Sequence, residues 1–107
     1  LSERLILMHN ESIWIAEDED GSPYGSGRII ITDDGIGLIS VVVDQLCRSR
    51  GLGTKLIGLL VEKIRKMNRV PVARIVRTND SSRRVFESAG FREVDSASDA
   101  YIEMRWH

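Results

Sequence analysis

With 107 residues, 42% of them hydrophobic and 29% charged, the chain has material for one domain around one modest core, residues 1–107, which excludes a two-domain or a disordered protein. A formal net charge of −1 supplies no global field to gather nucleic acid or an anionic membrane, so any anion site has to be local. One cysteine, Cys47, and two histidines, His9 and His107, exclude an internal disulfide framework and a zinc-type ligand spacing, so no metal is expected.

The longest apolar stretches, Ile36–Val43 and Leu56–Val61, are far below membrane length, and Leu1–Asn10 mixes Glu3, Arg4 and His9 into its apolar segment, unlike a signal peptide. A cytoplasmic location is the default expectation. The first residue is Leu, not Met, which points to residues upstream.

In chain order, Ile13 and Ile15 alternate with Ser12, Trp14 and Ala16 as in a short strand, and Asp18–Pro23 is a turn rich in acids, Gly and Pro. Glu17, Asp18, Glu19 and Asp20 read as a solvated hairpin before they read as an attractor for a cationic ligand. Gly25–Thr32 forms a second strand, ending at Asp33-Asp34-Gly35, residues that tolerate the positive φ of a tight hairpin. Ile36–Val43 is so continuously apolar that it predicts a central strand covered on both faces.

The period then changes. Leu52, Leu56, Leu59, Leu60, Ile64 and Met67 recur at intervals of three and four, an amphipathic helix with Lys63, Arg65, Lys66 and Arg69 at its negative pole and Pro71 barring its continuation. Val72–Arg77 predicts a buried strand. Asn79, Asp80 and Ser81 open a short helix with Val85, Phe86 and Ala89 inward, and Gly90 stands where a left-handed residue closes it. Phe91–Asp95 and Ala100–Trp106 close the chain as strands, so Trp14, Phe91 and Trp106 are read as core in preference to pocket lining.

Chemistry concentrates in Val41–Lys55, where a strand runs through Arg48-Ser49-Arg50-Gly51-Leu52-Gly53-Thr54 directly into the long helix. First-turn N–H groups with the helix dipole behind them, and glycines that admit close backbone approach, make an anion site to which Arg48 and Arg50 add charge. The plain alternative is a strand-to-helix turn that uses Gly for geometry alone. A P-loop fails because Lys55 is misplaced after Gly53-Thr54, and a dinucleotide fingerprint fails because Leu56 stands where a third Gly or Ala is required.

Arg48, Gly51 and Gly53 resemble the acyl-CoA pyrophosphate loop of the GNAT superfamily of N-acetyltransferases: Gln or Arg, two residues, Gly, one residue, Gly or Ala. A second block agrees, since Asn79, Ser82, Phe86, Gly90 and Phe91 are similar to the family's later helix. The resemblance, from about Ser12 to Trp106, implies an α+β three-layer fold whose central mixed, mostly antiparallel sheet is flanked by helices. The family's usual first strand and first helix are then missing, and Leu1–Asn10 is the tail of its second helix. The implied activity is transfer of an acetyl group from acetyl-CoA, the co-substrate, to a primary amine of a small molecule or protein in a ternary complex. Some features look like acetyltransferases acting on nucleotide-linked amino sugars, and pairing into a homodimer is common in the family.

By the same resemblance, Val41, Val42 and Val43 offer main-chain hydrogen bonds to pantetheine and the acetyl carbonyl. Arg48, Ser49, Arg50, Gly51, Leu52, Gly53 and Thr54 hold the pyrophosphate, and Asn79, Ser82 and Phe86 line the cofactor, with Arg83 and Arg84 nearby. Phe86 departs from the Tyr that many members use to protonate the leaving thiolate; water, Tyr24 or Tyr101 are the open substitutes. The general base is also open: Gly37 falls near the position of the Glu that some members carry, and Ser40, Asp44 and Cys47 have simpler readings as packed or capping residues. Two other readings stand beside the enzyme: a non-catalytic acyl-CoA-binding or regulatory module, and a nucleic-acid-binding patch of Arg48, Arg50, Lys55, Arg83 and Arg84, weakened by the balancing acids.

Overall fold

A computed structural model of the chain describes residues 2–8, 10–17, 20–32, 34–43, 51–94 and 99–106, with backbone alone for 2–8, 24, 42, 43 and 52. Among the described residues seven strands form one sheet: β1 (Ser2–Met8), β2 (Glu11–Glu17), β3 (Pro23–Ile31), β4 (Ile36–Val43), β5 (Val70–Val76), β6 (Phe91–Val94) and β7 (Tyr101–Trp106), in the spatial order β1-β2-β3-β4-β5-β7-β6. All neighbours are antiparallel except β4 and β5. Helix α1 (Leu52–Lys66) makes the crossover between those two, and α2 (Asp80–Ser88) joins β5 to β6.

The mixed, mostly antiparallel sheet with its two helices agrees with the expected fold class. The N-terminus does not follow the expectation. Leu1–Asn10 was expected as a helix tail; instead residues 2–8 form β1, in continuous antiparallel register with β2 from Ser2↔Glu17 to Met8↔Glu11. A four-residue apolar run such as Leu5–Met8 has no period of its own, so the available edge of β2 decides its state.

Both helices serve one core on one face of the sheet. A row of cross-strand neighbours, Ser12, Ile29, Ile39, Ala73 and Met104, runs beneath them, and Ile29, Ile39, Ala73 and Met104 are buried against Leu56, Leu60 and Ile64 of α1. Phe86 of α2 meets Phe91 edge-on, with centroids 5.0 Å apart, and joins the same core. Trp14 and Trp106 pack at its rim, under Lys63 (3.8 Å from the ring centre) and Arg65 (4.7 Å) of α1.

Two glycines let α1 settle this close. A Cβ on Gly27 would lie 2.5 Å from Leu60 Cδ1, and one on Gly37 would lie 2.8 Å from Ile64 Cγ2. At the far end α1 stops where Asn68 takes a left-handed φ of 59°, before Pro71 is reached. Arg69 then donates from Nη1 to the carbonyls of Thr32 (2.5 Å) and Ile36 (3.3 Å), tying the helix end to the β3–β4 hairpin. Gly35 there has φ +83°, as the hairpin reading requires; Asp33 lies outside the described residues.

The other sheet face differs from expectation. Ile36–Val43 was expected to be covered on both sides, yet no described helix packs on the face opposite α1. Ile36 and Val72 are buried there, Leu38 is half-buried and Ser40 is exposed. Ser40 interrupts the apolar run where cover is missing.

Candidate functional site

The site follows from the two parallel strands. Their ladder runs from Ile36↔Val70 to Ile39↔Ala73 and stops. Beyond it Ser40–Val43 stay paired to β3, and Arg74–Val76 stay paired to β7, but not to each other. The sheet therefore opens at the C-terminal ends of β4 and β5, leaving main-chain donors and acceptors of each strand directed toward the gap.

Both helices begin at that same end. Helix α1 starts at Gly51, in the left-handed region with φ 71°, and the first bond closing onto it is Lys55 N–H to the Gly51 carbonyl at 3.2 Å. The N–H groups of Leu52, Gly53 and Thr54 precede any intrahelical partner and point out of the N-terminus, with the positive end of the dipole. Gly53 is buried and Thr54 half-buried. No acidic residue lies in the first turn of α1 to oppose an anion. Helix α2 starts at Asn79, whose N–H donates to the Val76 carbonyl at 2.8 Å and whose side chain accepts from Ser82 N–H at 3.2 Å.

Of the sequence-selected residues, the structure gathers Val41, Val42, Val43, Gly51, Leu52, Gly53, Thr54, Asn79 and Ser82 on this end of the sheet, since each group follows a neighbouring parallel strand. Val41 is half-buried and packs toward the core. Arg48, Ser49, Arg50, Asp44 and Cys47 lie outside the described residues. Phe86 is buried, its ring spent on Phe91. Arg83 is paired with Glu87 at 3.3 Å and with Glu93 at 2.5 Å, so it braces α2 against β6. Arg84 is exposed. Tyr101, 37% exposed, sits opposite Val76, one strand from the gap; the side chain of Tyr24 is not among those described. Gly37 faces Ile64 of α1, away from Ser40's face, so it marks a packing contact.

Sequence reading missed the cavity on the open face, about 190 Å³ between Ile13, Ser26, Arg28 and Ser40. Its one signal was a lone arginine, Arg28, directly before Ile29-Ile30-Ile31.

The profile of the Acetyltransferase (GNAT) family matches residues 2–91. The chain belongs to that family. No curated protein matches it. Among solved structures, one named as a streptothricin acetyltransferase of Bacillus anthracis str. Ames in complex with acetyl coenzyme A superposes with a TM-score of 0.82 at 20% identity, covering 95% of this chain and 65% of that one. A Klebsiella pneumoniae protein named as an acyl-CoA N-acyltransferase gives 0.82 at 17% identity over 91% and 72%. A chimera of the Vibrio cholerae spermidine N-acetyltransferase gives 0.73 at 15% over 90% and 64%. This GNAT chain thus spans about two thirds of the length of these neighbours, and at such identities the likeness is one of fold.

Among the described residues of this acetyltransferase-family chain, no helix is long and apolar enough to cross a membrane, and no group of His, Cys, Asp and Glu is placed to hold a metal ion.

Proposed function

We propose that the chain transfers an acetyl group from acetyl-CoA to a primary amine by direct attack in a ternary complex. The observation that carries this reading is the end of the β4–β5 ladder at Ile39↔Ala73 with both helix N-termini at the open end. Free main-chain groups of Val41–Val43 suit the amide-bearing pantetheine arm. The α1 N-terminus at Gly51, with Arg48 and Arg50 just before it in sequence, suits a pyrophosphate. Catalysis here is mainly positioning: the strand holds the thioester in the gap, and main-chain N–H groups offset the charge developing on its oxygen.

Titration calorimetry with acetyl-CoA tests the binding half. The double variant Arg48→Ala/Arg50→Ala should weaken acetyl-CoA by about tenfold or more while sparing a short pantetheine thioester that lacks the pyrophosphate. Equal losses for both ligands, or no binding by the parent chain, would remove the basis of the assignment.

A second reading, a non-catalytic acyl-CoA-binding module, is favoured by Phe86, a buried ring without a hydroxyl where a proton donor is common in the family. Thiol release from acetyl-CoA in the presence of amines separates the two: only the enzyme produces it.

A further inference from the structure

We propose that the amine acceptor enters from the open face of the sheet into the cavity between Ile13, Ser26, Arg28 and Ser40, and that Arg28 selects acceptors bearing a carboxylate or a phosphate. This rests on the acetyl-transfer reading above and adds the class of acceptor.

Position is the first argument. Ser40 is the first residue of β4 past its last pair with β5, and its exposed side chain lies on the face opposite α1. In register, Ile13 pairs with Arg28 and Arg28 with Ser40, so the cavity lies across β2, β3 and β4 beside the start of the gap. A group seated there adjoins the strand segment that would hold the thioester. The cavity, about 190 Å³, opens to solvent on this face, so a small anionic group can reach Arg28 within it.

Charge is the second. Arg28 stands on the third of seven strands with Ile13 opposite it, and its side chain is still 51% exposed. Glu11 holds it through Nε at 2.5 Å, and a guanidinium has five N–H donors, more than one carboxylate uses. Glu11 engages Nε alone, so the Nη donors remain for an incoming carboxylate or phosphate, which a guanidinium can meet with two parallel N–H bonds. The surroundings agree: by register the same face carries Arg74, Arg92 and Arg105 on β5, β6 and β7, with Glu103 between them. Glu103 pairs with Arg74 at 3.6 Å and with Arg105 at 3.3 Å, and Glu11 with Arg28, so the four arginines of this face outnumber the two acids that pair with them. The group-transfer step balances without other reactants: the neutral amine nitrogen bonds to the thioester carbonyl carbon, the C–S bond breaks with its electron pair on sulfur, and water takes the amine proton and protonates the thiolate.

The experiment measures thiol release from acetyl-CoA with matched acceptors: β-alanine against β-alaninamide, O-phosphoethanolamine against ethanolamine, and spermidine as a cationic reference. The anionic member of each pair should be favoured by about tenfold or more in kcat/KM. Arg28→Met should raise its KM by a similar factor, leave the KM for acetyl-CoA in place, and erase the preference, while Arg28→Lys restores part of it. Preference for spermidine or the uncharged partners, or an anionic preference that survives Arg28→Met in a folded variant, overturns the proposal. Binding of acetyl-CoA with no thiol release from any amine also overturns it, leaving the binding-module reading. Failure to bind acetyl-CoA at all is the separate result that sinks the acetyl-transfer reading itself.

Discussion

Adjacent residues of the central strands live under opposite rules on the two faces of the sheet. Beneath α1, Gly27 and Gly37 have no side chain because Leu60 and Ile64 fill the space, and a methyl group would meet them at 2.5 Å and 2.8 Å. One residue on, Arg28 projects a long charged side chain from the other face and remains half exposed. The covered face constrains volume, and volume there is set by one helix. The open face constrains chemistry, and it is where variation would alter what binds while the fold stands.

The largest expected effects therefore belong to the covered face. Gly37→Ala places its methyl against Cγ2, Cγ1 and Cδ1 of Ile64, atoms close to the stem of a stiff β-branched side chain. Gly27→Ala meets mostly the Cδ end of Leu60, which has more freedom to turn. Gly37→Ala should cost about 1–3 kcal/mol in urea unfolding, and more than Gly27→Ala. Pairing Gly37→Ala with Ile64→Ala should cost less than the two single changes added together, by about 0.5 kcal/mol or more. Strict additivity would mean that the glycine is not there for the helix.

The next effect separates support from function at the head of α2. Asn79→Ala removes the acceptor of the Ser82 N–H bond and should cost about 1 kcal/mol. Asn79→Asp keeps a good cap and should keep stability. If Asn79 also donates its amide to the pantetheine arm, as the acetyl-transfer reading holds, Asn79→Asp loses acetyl-CoA affinity at unchanged urea midpoint. Retained affinity assigns the residue to capping alone.

On the open face the contrast should invert. Arg28→Met removes an ion pair between half-exposed Arg28 and the more covered Glu11, 22% exposed, worth about 1 kcal/mol, so its stability should lie closer to the parent's than that of Gly37→Ala, although its acceptor kinetics change. A loss as large as that of Gly37→Ala would show that the open face is packed as tightly as the other, and would break the comparison.

These two faces also explain what the sequence could show. Helix α1 was legible because its leucines and isoleucines keep period to within a residue of the observed end, and α2 because Asn79 and Gly90 mark its limits; Gly90 does adopt a positive φ of +100°. The open end of β4 and β5 follows from element order, since helices after parallel strands start at the strands' C-terminal ends. What could not be read depends on contacts distant in sequence. Leu5–Met8 has no period until β2 offers an edge. Gly27 and Gly37 look like weak strand residues until α1 is laid over them. Asn68 ends α1 three residues before Pro71, a signal present but overshadowed. The cavity needs Ile13, Arg28 and Ser40 in one register, which no local pattern encodes.

The smallest expected effect concerns the closed end of β4, opposite in kind to the gap. Asp34, exposed in the β3–β4 hairpin, has its carboxyl pKa held below the ordinary 3.8, first by the Thr32 hydroxyl that donates to it and then by nearby backbone N–H groups and the Arg74 charge. A carboxylate whose pKa is lower folded than unfolded stabilises the fold above the unfolded value, and that contribution disappears as pH falls from 3.8 through the folded value. Asp34→Asn should therefore flatten the acid-side loss of stability in that window and leave the pH dependence above it unchanged. Urea midpoints for parent and variant at several pH values between neutrality and pH ~2.5 would show two curves that approach each other only below 3.8. Parallel curves throughout would mean that Asp34 titrates alike in the folded and unfolded chains, and that the Thr32 hydroxyl contributes nothing to holding its charge in the fold.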